Sequence, residues 1–317
     1  MAKLIVTRVI RLVATLLAVS FLTFSMTLLL PGDPVNAILP PTAPRDQETV
    51  DRIRAELRLD DPLLSRYVSW LGDAVQGDLG RSYIDDRPVA TTIRERLPIT
   101  AQLAAMAIGI AVLFAIPIGI LGAYKQGRAA DQVSSAGVQV ALSIPNFITG
   151  IFLIWLLTVQ FRLLPSTGWN RIGTDGLVEN LKTAILPATA LALTQMAFFS
   201  RLIRSDMIAT LQENFILSAK AKGLRDRYIL FRHALRPSSL SLITIVGINF
   251  GALLGGTVVI ESLFALPGLG FRLINAINQR DILVVQGITV FIATAYVVIN
   301  TAVDLIYLAV DPRIRRS

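Results

Sequence analysis

Reactive side chains are scarce in this sequence. It contains no cysteine and a single histidine, His233. Thiolate nucleophiles, disulfide bonds and cysteine-ligated metals are therefore excluded, and so are most histidine metal sites. The apolar runs also lack paired aspartates, a His-Glu-x-x-His motif and a Ser-His arrangement. We accordingly predict no catalytic residue, no metal ligand and no cofactor bound by this chain.

The segment 214–227 carries the most informative pattern. Helix-forming residues, many of them small or basic, lead into Gly223. Glycine adopts the left-handed conformation that ends many helices at little cost, and Leu224 can supply the hydrophobic contact of such a cap. Lys220 and Lys222 favour the negative end of the helix dipole. The pattern predicts a short helix that ends at Gly223.

A protein partner could grip this short helix. Small side chains at Ala219 and Ala221 would allow close approach, and Arg225 and Arg227 would add charge contacts at the rim. The alternative is that a basic amphipathic segment lies on anionic lipid. The predicted docking residues are Ser218, Ala219, Lys220, Ala221, Lys222, Gly223, Leu224 and Arg225.

Long uncharged runs surround this loop. The chain is 53% hydrophobic and 16% charged, which is too apolar for an ordinary soluble domain. Each run, as a helix rising ~1.5 Å per residue, can cross about 30 Å of hydrocarbon. We therefore predict an all-α membrane protein with six transmembrane helices. The runs cover residues 12–32, 97–124, 132–161, 183–200, 237–260 and 282–303.

Basic residues cluster in short segments beside the predicted helix ends, and the loop around Gly223 is the most basic. The positive-inside bias places these segments, and hence both termini, in the cytoplasm. Topology thus explains the net charge of +8 better than nucleic-acid binding does. The other clusters are Lys3, Arg8 and Arg11 before the first run, Lys125 and Arg128 after the second, and Arg313, Arg315 and Arg316 at the end.

We interpret the chain, 1–317, as a single transmembrane domain. It comprises a first transmembrane helix (1–32), an extracytoplasmic segment (33–96) and a five-helix core (97–317). The first run is too long for the core of a secretory signal, so we expect a retained anchor. Apolar residues at helical spacing predict a short surface helix over residues 47–59. Prolines at or within the spans, expected to kink them or to pack at their ends, are Pro98, Pro117, Pro145 and Pro187.

Polar residues within the spans are few. Such groups face the interior of a helix bundle, where they bond to neighbouring helices or line a path. We expect helix-to-helix bonding for most of them and choose Asn146, Gln195 and Asn249 as candidates for a translocation path. The full set is Gln102, Gln139, Asn146, Gln160, Gln195, Asn249 and Asn300.

In these features the chain resembles the permease subunits of ATP-binding-cassette (ABC) importers, specifically the dipeptide and oligopeptide class. In that superfamily the corresponding loop carries the EAA motif: an acidic residue, two small residues, a spacer and a glycine. The motif forms a coupling helix that sits in a groove of the ATPase subunit. Gly223 matches the glycine, and Ala219 and Ser218 match the small positions. Leu217 replaces the acidic residue.

Further motifs of that class follow in order along nearly the whole chain. They are Gly77-Asp78-Leu79-Gly80-Arg81-Ser82, Arg96-Leu97-Pro98-Ile99-Thr100, Ser143-Ile144-Pro145-Asn146-Phe147, Val259-Ile260-Glu261-Ser262-Leu263-Phe264, Pro267-Gly268-Leu269-Gly270 and Arg280-Asp281.

The resemblance implies a type I importer permease fold in a bacterial plasma membrane. It also implies a second homologous permease, the chain being the first of the heterodimeric pair, and two cytoplasmic ATPase subunits that use ATP and Mg²⁺. The chain has no Gly-x-x-x-x-Gly-Lys-Ser/Thr loop with which to hold nucleotide itself. An extracytoplasmic solute-binding protein would deliver the substrate, and Glu261 and Arg272 are candidates to contact it, although solvated charges are the alternative.

The class transports dipeptides and oligopeptides, and its close relatives take up nickel complexes, glutathione or other small solutes. All of these remain open for this chain. A different class, an ion-gradient-driven secondary transporter, would show acidic residues at mid-membrane and related halves. Here only Asp304 comes close.

Overall fold

The computed structural model describes residues 2–25, 51, 54 and 61–310. Within these ranges the regular structure is helical, and an isolated antiparallel bridge joins Arg81 to Pro88. The predicted all-α class is therefore confirmed. The helix expected over residues 47–59 lies, apart from residues 51 and 54, outside the described part of the chain, as do the C-terminal arginines.

Thirteen α-helices occur in the described ranges. They are α1 (Ala2–Ser25), α2 (Leu63–Val75), α3 (Val89–Tyr124), α4 (Ala129–Ser143), α5 (Asn146–Leu153), α6 (Ile172–Asp175), α7 (Leu177–Leu211), α8 (Asn214–Ala221), α9 (Asp226–Tyr228), α10 (Leu235–Gly256), α11 (Val258–Leu263), α12 (Leu269–Asn278) and α13 (Ile282–Val310). Two π-helical segments extend α5 and join α9 to α10, respectively Ile154–Gln160 and Ile229–Ala234.

Four helical units in the described ranges are long and apolar enough to cross a membrane: α3, α7, α9 to α10, and α13. A fifth candidate consists of α4 and α5 with its π-helical extension. The apolar part of α1 covers Val9–Ser25 and is shorter than these units. Residues 26–32 of the first predicted run lie outside the description, so six spans remain a prediction.

The third predicted span is not one straight helix. Helices α4 and α5 meet at an angle of 99°. The backbone of Ile144 is extended, at φ −93° and ψ 120°, because the ring of Pro145 disfavours a helical conformation in the residue before it. Pro145 therefore ends α4. Pro98, Pro117 and Pro187 instead lie inside helices that continue through them.

Helices α3 and α7 form the most extensive helix pair. Alanines on one face of α3 are fully buried and repeat every three or four residues, at Ala104, Ala107, Ala111 and Ala115. Small side chains let the two backbones approach closely, which is how helices associate in a membrane. The remaining core surrounds this seam, with α10 packed beside α7 and α13, and α1 against α13.

Candidate functional site

Helix α8 ends in the cap that the sequence predicts. Gly223 is left-handed at φ +76°. Its N–H donates to the carbonyl of Lys220 at 2.9 Å, and the N–H of Leu224 donates to the carbonyl of Ala219 at 3.3 Å. Together these two bonds form a Schellman motif, which satisfies carbonyls that lack partners at a helix end. The predicted helix and the role of Gly223 in ending it are confirmed.

Helix α8 packs one face on the chain and exposes the other. Ile216 and Ala219, three residues apart and hence on one face, are buried in the main core. The expectation that Ala219 leaves room for a partner is therefore wrong, because its methyl group faces this chain. Ala221 is exposed and keeps that role. The other predicted docking residues, all exposed, are Ser218, Lys220, Lys222, Gly223, Leu224 and Arg225.

An open groove of about 520 Å³ lies beyond the cap, lined by Arg225, Arg227, Tyr228, Phe231 and Arg232. Both aromatic side chains are about half exposed. Guanidinium groups bind carboxylates, and the rings offer apolar surface beside them. We call the exposed residues of 215–225 together with this groove the α8 surface. It suits a partner that is acidic and partly apolar.

Polar contacts at this end of the bundle join α3 to α9 and α7 to α4. The Tyr124 hydroxyl, at the end of α3, donates to Asp226 Oδ2 at 2.8 Å. Arg204 of α7 forms a two-pronged ion pair with Asp131 of α4, at 2.6 and 2.8 Å. The backbone N–H of Gly127 also donates to Asp131, at 2.9 Å. The sequence did not predict this pair, because its only signal was an acidic residue beside a basic loop.

The three residues chosen for a translocation path are placed differently. Asn146 begins α5 at the elbow, and its side-chain oxygen accepts a hydrogen bond from Thr194 of α7. Gln195 is the next residue on α7 and is half-buried. Asn249 donates to the carbonyl of Ile245 in its own helix, at 2.9 Å. The structure therefore joins Asn146 to Thr194, shows no contact between Asn146 and Gln195, and gives Asn249 an intrahelical bond.

Gln102 bonds one helix to another, as the sequence led us to expect for most polar residues in the spans. Its amide donates to the side-chain oxygen of Asn180 in α7. Asn180 in turn donates to the carbonyl of Asn170 at 2.6 Å. This network joins α3, α7 and the loop before α6.

Glu261 is fully buried at the end of the bundle opposite α8. Its carboxylate accepts hydrogen bonds from the hydroxyls of Thr100 and Thr257, at 2.7 and 2.8 Å, and from the N–H of Phe271, at 3.0 Å. The predicted contact between Glu261 and a binding protein is wrong, because a buried carboxylate offers no surface to a partner. It instead joins α3, α11 and α12.

The glycines of the segment 267–270 leave room for this carboxylate. A Cβ atom at Gly268 would overlap Glu261. A Cβ atom at Gly270 would lie 2.6 Å from the backbone of Val258 and 3.1 Å from Glu261 Oε2. The motifs around Glu261 and Gly268 thus belong to one packing unit.

Arg272 is also buried, at 7% exposure. Its guanidinium lies 3.3 Å from Asp281 Oδ2 and 3.2 Å from Asp85 Oδ2, and the Ser82 hydroxyl donates to Asp281 Oδ2 at 2.6 Å. Arg272 therefore pairs within the chain, and its predicted contact with a binding protein is wrong. Partial burial raises the pKa of Asp85, but hydrogen bonds and the nearby arginines outweigh this effect and hold it below its usual value.

No group of three or more acidic or histidine side chains able to hold a metal ion occurs among the described residues. The polar features instead separate into the α8 surface, the elbow beside α7, and the buried clusters around Glu261 and Arg272. Thr100 contacts Glu261, while Tyr124 contacts Asp226 at the start of α9. These residues are 24 positions apart on α3, a rise of roughly 36 Å. The two ends are thus separated by about the thickness of a membrane.

Two family models match this chain. A family model described as "Binding-protein-dependent transport system inner membrane component" matches residues 115–316. A model for the N-terminal part of such membrane components matches residues 1–104.

Relatives match at full length. A Brucella abortus protein named for a peptide transport system permease is 39% identical over 315 residues, 99% of each chain. The glutathione transport system permease protein GsiC of Shigella flexneri is 33% identical over 315 residues, also 99% of each chain. A solved structure of the MetNI methionine ABC transporter matches with a TM-score of 0.57 at 18% identity, covering 69% of this chain and 96% of that chain. That likeness supports the fold alone.

Proposed function

Because the chain belongs to the family of binding-protein-dependent transport system inner membrane components, we propose that it forms half of a pathway for short peptides. Separate ATPase subunits drive this pathway through the α8 surface. The chain itself is a non-catalytic permease, paired with a second, homologous permease. Six helices span the bacterial inner membrane, and both termini lie in the cytoplasm with α8.

The α8 surface carries this proposal. It combines exposed apolar side chains, Phe215 at 47% and Leu217 at 55%, with the arginines of the groove. A segment of this composition can enter a partner's groove and hold acidic residues at its rim. The exposed leucine, where the family motif has an acid, makes the central contact apolar. ATP and Mg²⁺ belong to the ATPase partners.

The Tyr124–Asp226 and Asp131–Arg204 contacts transmit the movement of the docked ATPases to the pathway. Closure of the ATPases displaces α8, which follows α7 after two residues. The Asp131–Arg204 pair then carries the movement from α7 to α4, and the Tyr124–Asp226 bond carries it to α3. The bundle thus has two arrangements, and nucleotide bound to the ATPase subunits shifts the equilibrium between them.

The opposite end receives the solute-binding protein. Glu261 and Arg272 are buried there, so we assign the contact to exposed residues at the end of α12, namely Asn278, Gln279 and Arg280. The two buried clusters hold α12 in place for this contact.

The ATPase contact is tested with a pair of proline variants. Gly223 and Gly77 occupy the same position in two separate Schellman caps. After α2, the N–H of Gly77 donates to the carbonyl of Ala74, and the N–H of Asp78 donates to the carbonyl of Asp73. Both have a left-handed φ and open space around the missing Cβ. Proline fixes φ near −65° and removes the N–H, so it breaks either cap. We expect Gly223→Pro to lose ATPase co-purification and transport, and Gly77→Pro to retain the ATPase.

Ala221→Arg complements the proline variant, because this exposed residue can be enlarged without disturbing the core that holds Ala219. We expect the variant to insert normally and to lose ATPase-coupled uptake. Retention of the ATPase by both the Gly223 and Ala221 variants would overturn the docking role.

The substrate proposal rests on relatives named for peptide and glutathione transport. It is tested by ATP-dependent uptake of labelled dipeptides and oligopeptides in vesicles containing the full complex and its binding protein. We expect unlabelled short peptides to compete. Competition by nickel complexes alone would assign the chain another solute.

A further inference from the structure

We propose that one face of α4, the α4 polar face, lines the inner half of the solute route and binds uncharged amide groups such as a peptide backbone. This face consists of Gln132, Ser135, Ala136, Gln139 and Ser143. The inference rests on the proposed transport function and assigns it a specific binding surface.

The exposed surface of α4 has two sides. The residues of the α4 polar face are all exposed, and each lies three or four positions from another member, so they form one stripe. A second stripe, the α4 apolar face, contains Val133, Gly137 and Val140. It lies about 100° around the helix from the first, since successive residues are rotated by that angle.

Contacts with α7 place α4 at membrane depth. Near its start, Asp131 pairs with Arg204; just beyond its end, Asn146 accepts from Thr194. Arg204 and Thr194 are ten residues apart on α7, a rise of roughly 15 Å. Helix α4 therefore climbs obliquely from the α8 end toward the middle of the bundle.

The two glutamines of the α4 polar face have no hydrogen-bond partner for their side chains within the described part of the chain. The two serines differ, because Ser143 donates to the carbonyl of Gln139 at 2.9 Å and Ser135 donates to Asp131 Oδ1 at 3.4 Å. A primary amide facing hydrocarbon would lose its hydrogen bonds to water without replacement. Gln139, about two turns further from the α8 end than Gln132, therefore requires water, solute or another protein over it.

Water and solute fit the α4 polar face better than a second helix does. A partner helix in a membrane packs on small and apolar residues, which the α4 apolar face provides: valines at 72% and 60% exposure around an unobstructed Gly137. The α4 polar face instead ends at Ser143, three residues before Asn146, which bonds to Thr194 at the elbow. The stripe and the elbow form one uncharged polar track.

The chemistry of this track selects for amides. A glutamine side chain both donates and accepts, so it can pair with the N–H and C=O of a peptide group. With no ionised side chain among its five residues, the α4 polar face would hold peptides of either charge, and weakly enough to release them.

Cysteine accessibility tests this assignment, and the chain is free of native cysteine. Single variants Ser135→Cys and Gln139→Cys are compared with Val133→Cys and Val140→Cys in the full complex in vesicles. A hydrophilic thiol reagent is added from the α8 side. We expect the first pair to react at least about tenfold faster, because the reactive thiolate forms in water. Trapping the ATPases with nucleotide should slow that reaction.

Equal labelling of the two pairs would overturn the inference, and so would protection of Gln139→Cys together with cross-linking to the second permease. ATP-dependent uptake by the parent complex is measured in parallel. Absence of uptake there counts against the proposed function, whereas normal uptake with the wrong labelling pattern counts against the α4 polar face alone.

Discussion

At the scale of single residues, the charges inside this molecule act as connectors. Glu261 accepts three hydrogen bonds from two threonine hydroxyls and a backbone N–H, and Arg272 joins two aspartates. A buried charge is tolerated only when such partners replace water. These residues therefore position the loops around them and are not themselves points of contact.

Replacing Glu261 should destabilise the chain. Glu261→Ala leaves the donors of Thr100, Thr257 and Phe271 without their acceptor, for an expected loss of about 2–4 kcal/mol. The matched control is Glu179→Ala, since Glu179 forms a half-exposed ion pair with Lys182, and such pairs contribute up to about 1 kcal/mol. Unfolding of the purified proteins in detergent measures both. Equal losses would contradict the connecting role.

At the scale of helices, close approach between α3 and α7 depends on glycine. A Cβ atom at Gly119 would lie 2.8 Å from the Cβ of Ile203 and 2.9 Å from the carbonyl oxygen of Ser200. A Cβ atom at Gly122 would lie 3.0 Å from the Cδ of Arg204, the partner of Asp131. The seam that positions α4 is thus set by backbone contact.

Two glycines on α3 should respond oppositely to alanine. Gly119→Ala forces α3 and α7 apart and should cost about 1–3 kcal/mol. Gly109→Ala meets nothing within 4 Å, so it should be neutral or should stabilise the helix by up to about 1 kcal/mol. Thermal unfolding in detergent compares them. A stabilising effect at Gly119 would show that the seam is looser than described.

At the scale of the whole molecule, the sequence predicts what depends on local chemistry. The helical class follows from long apolar runs, and the cap at Gly223 follows from adjacent residues. Pro145 was among the prolines expected to kink a span, but the 99° angle was not predicted, because hydropathy records that a run is apolar and not its direction. Burial of Glu261 and Arg272 was missed because their partners are distant in sequence: Thr100 lies 161 positions from Glu261.

The Ser82–Asp281 hydrogen bond joins residues 199 positions apart. During synthesis, Ser82 emerges long before Asp281 exists, and α13 immediately follows Asp281. This contact can therefore form only after Asp281 has been synthesised, and it must overcome the entropy cost of closing a long intervening segment. A chain truncated before Asp281 would leave Arg272 with Asp85 as its acidic partner in this cluster. The segment before α3 is thus fixed to the start of α13 only after α3 to α12 have been synthesised.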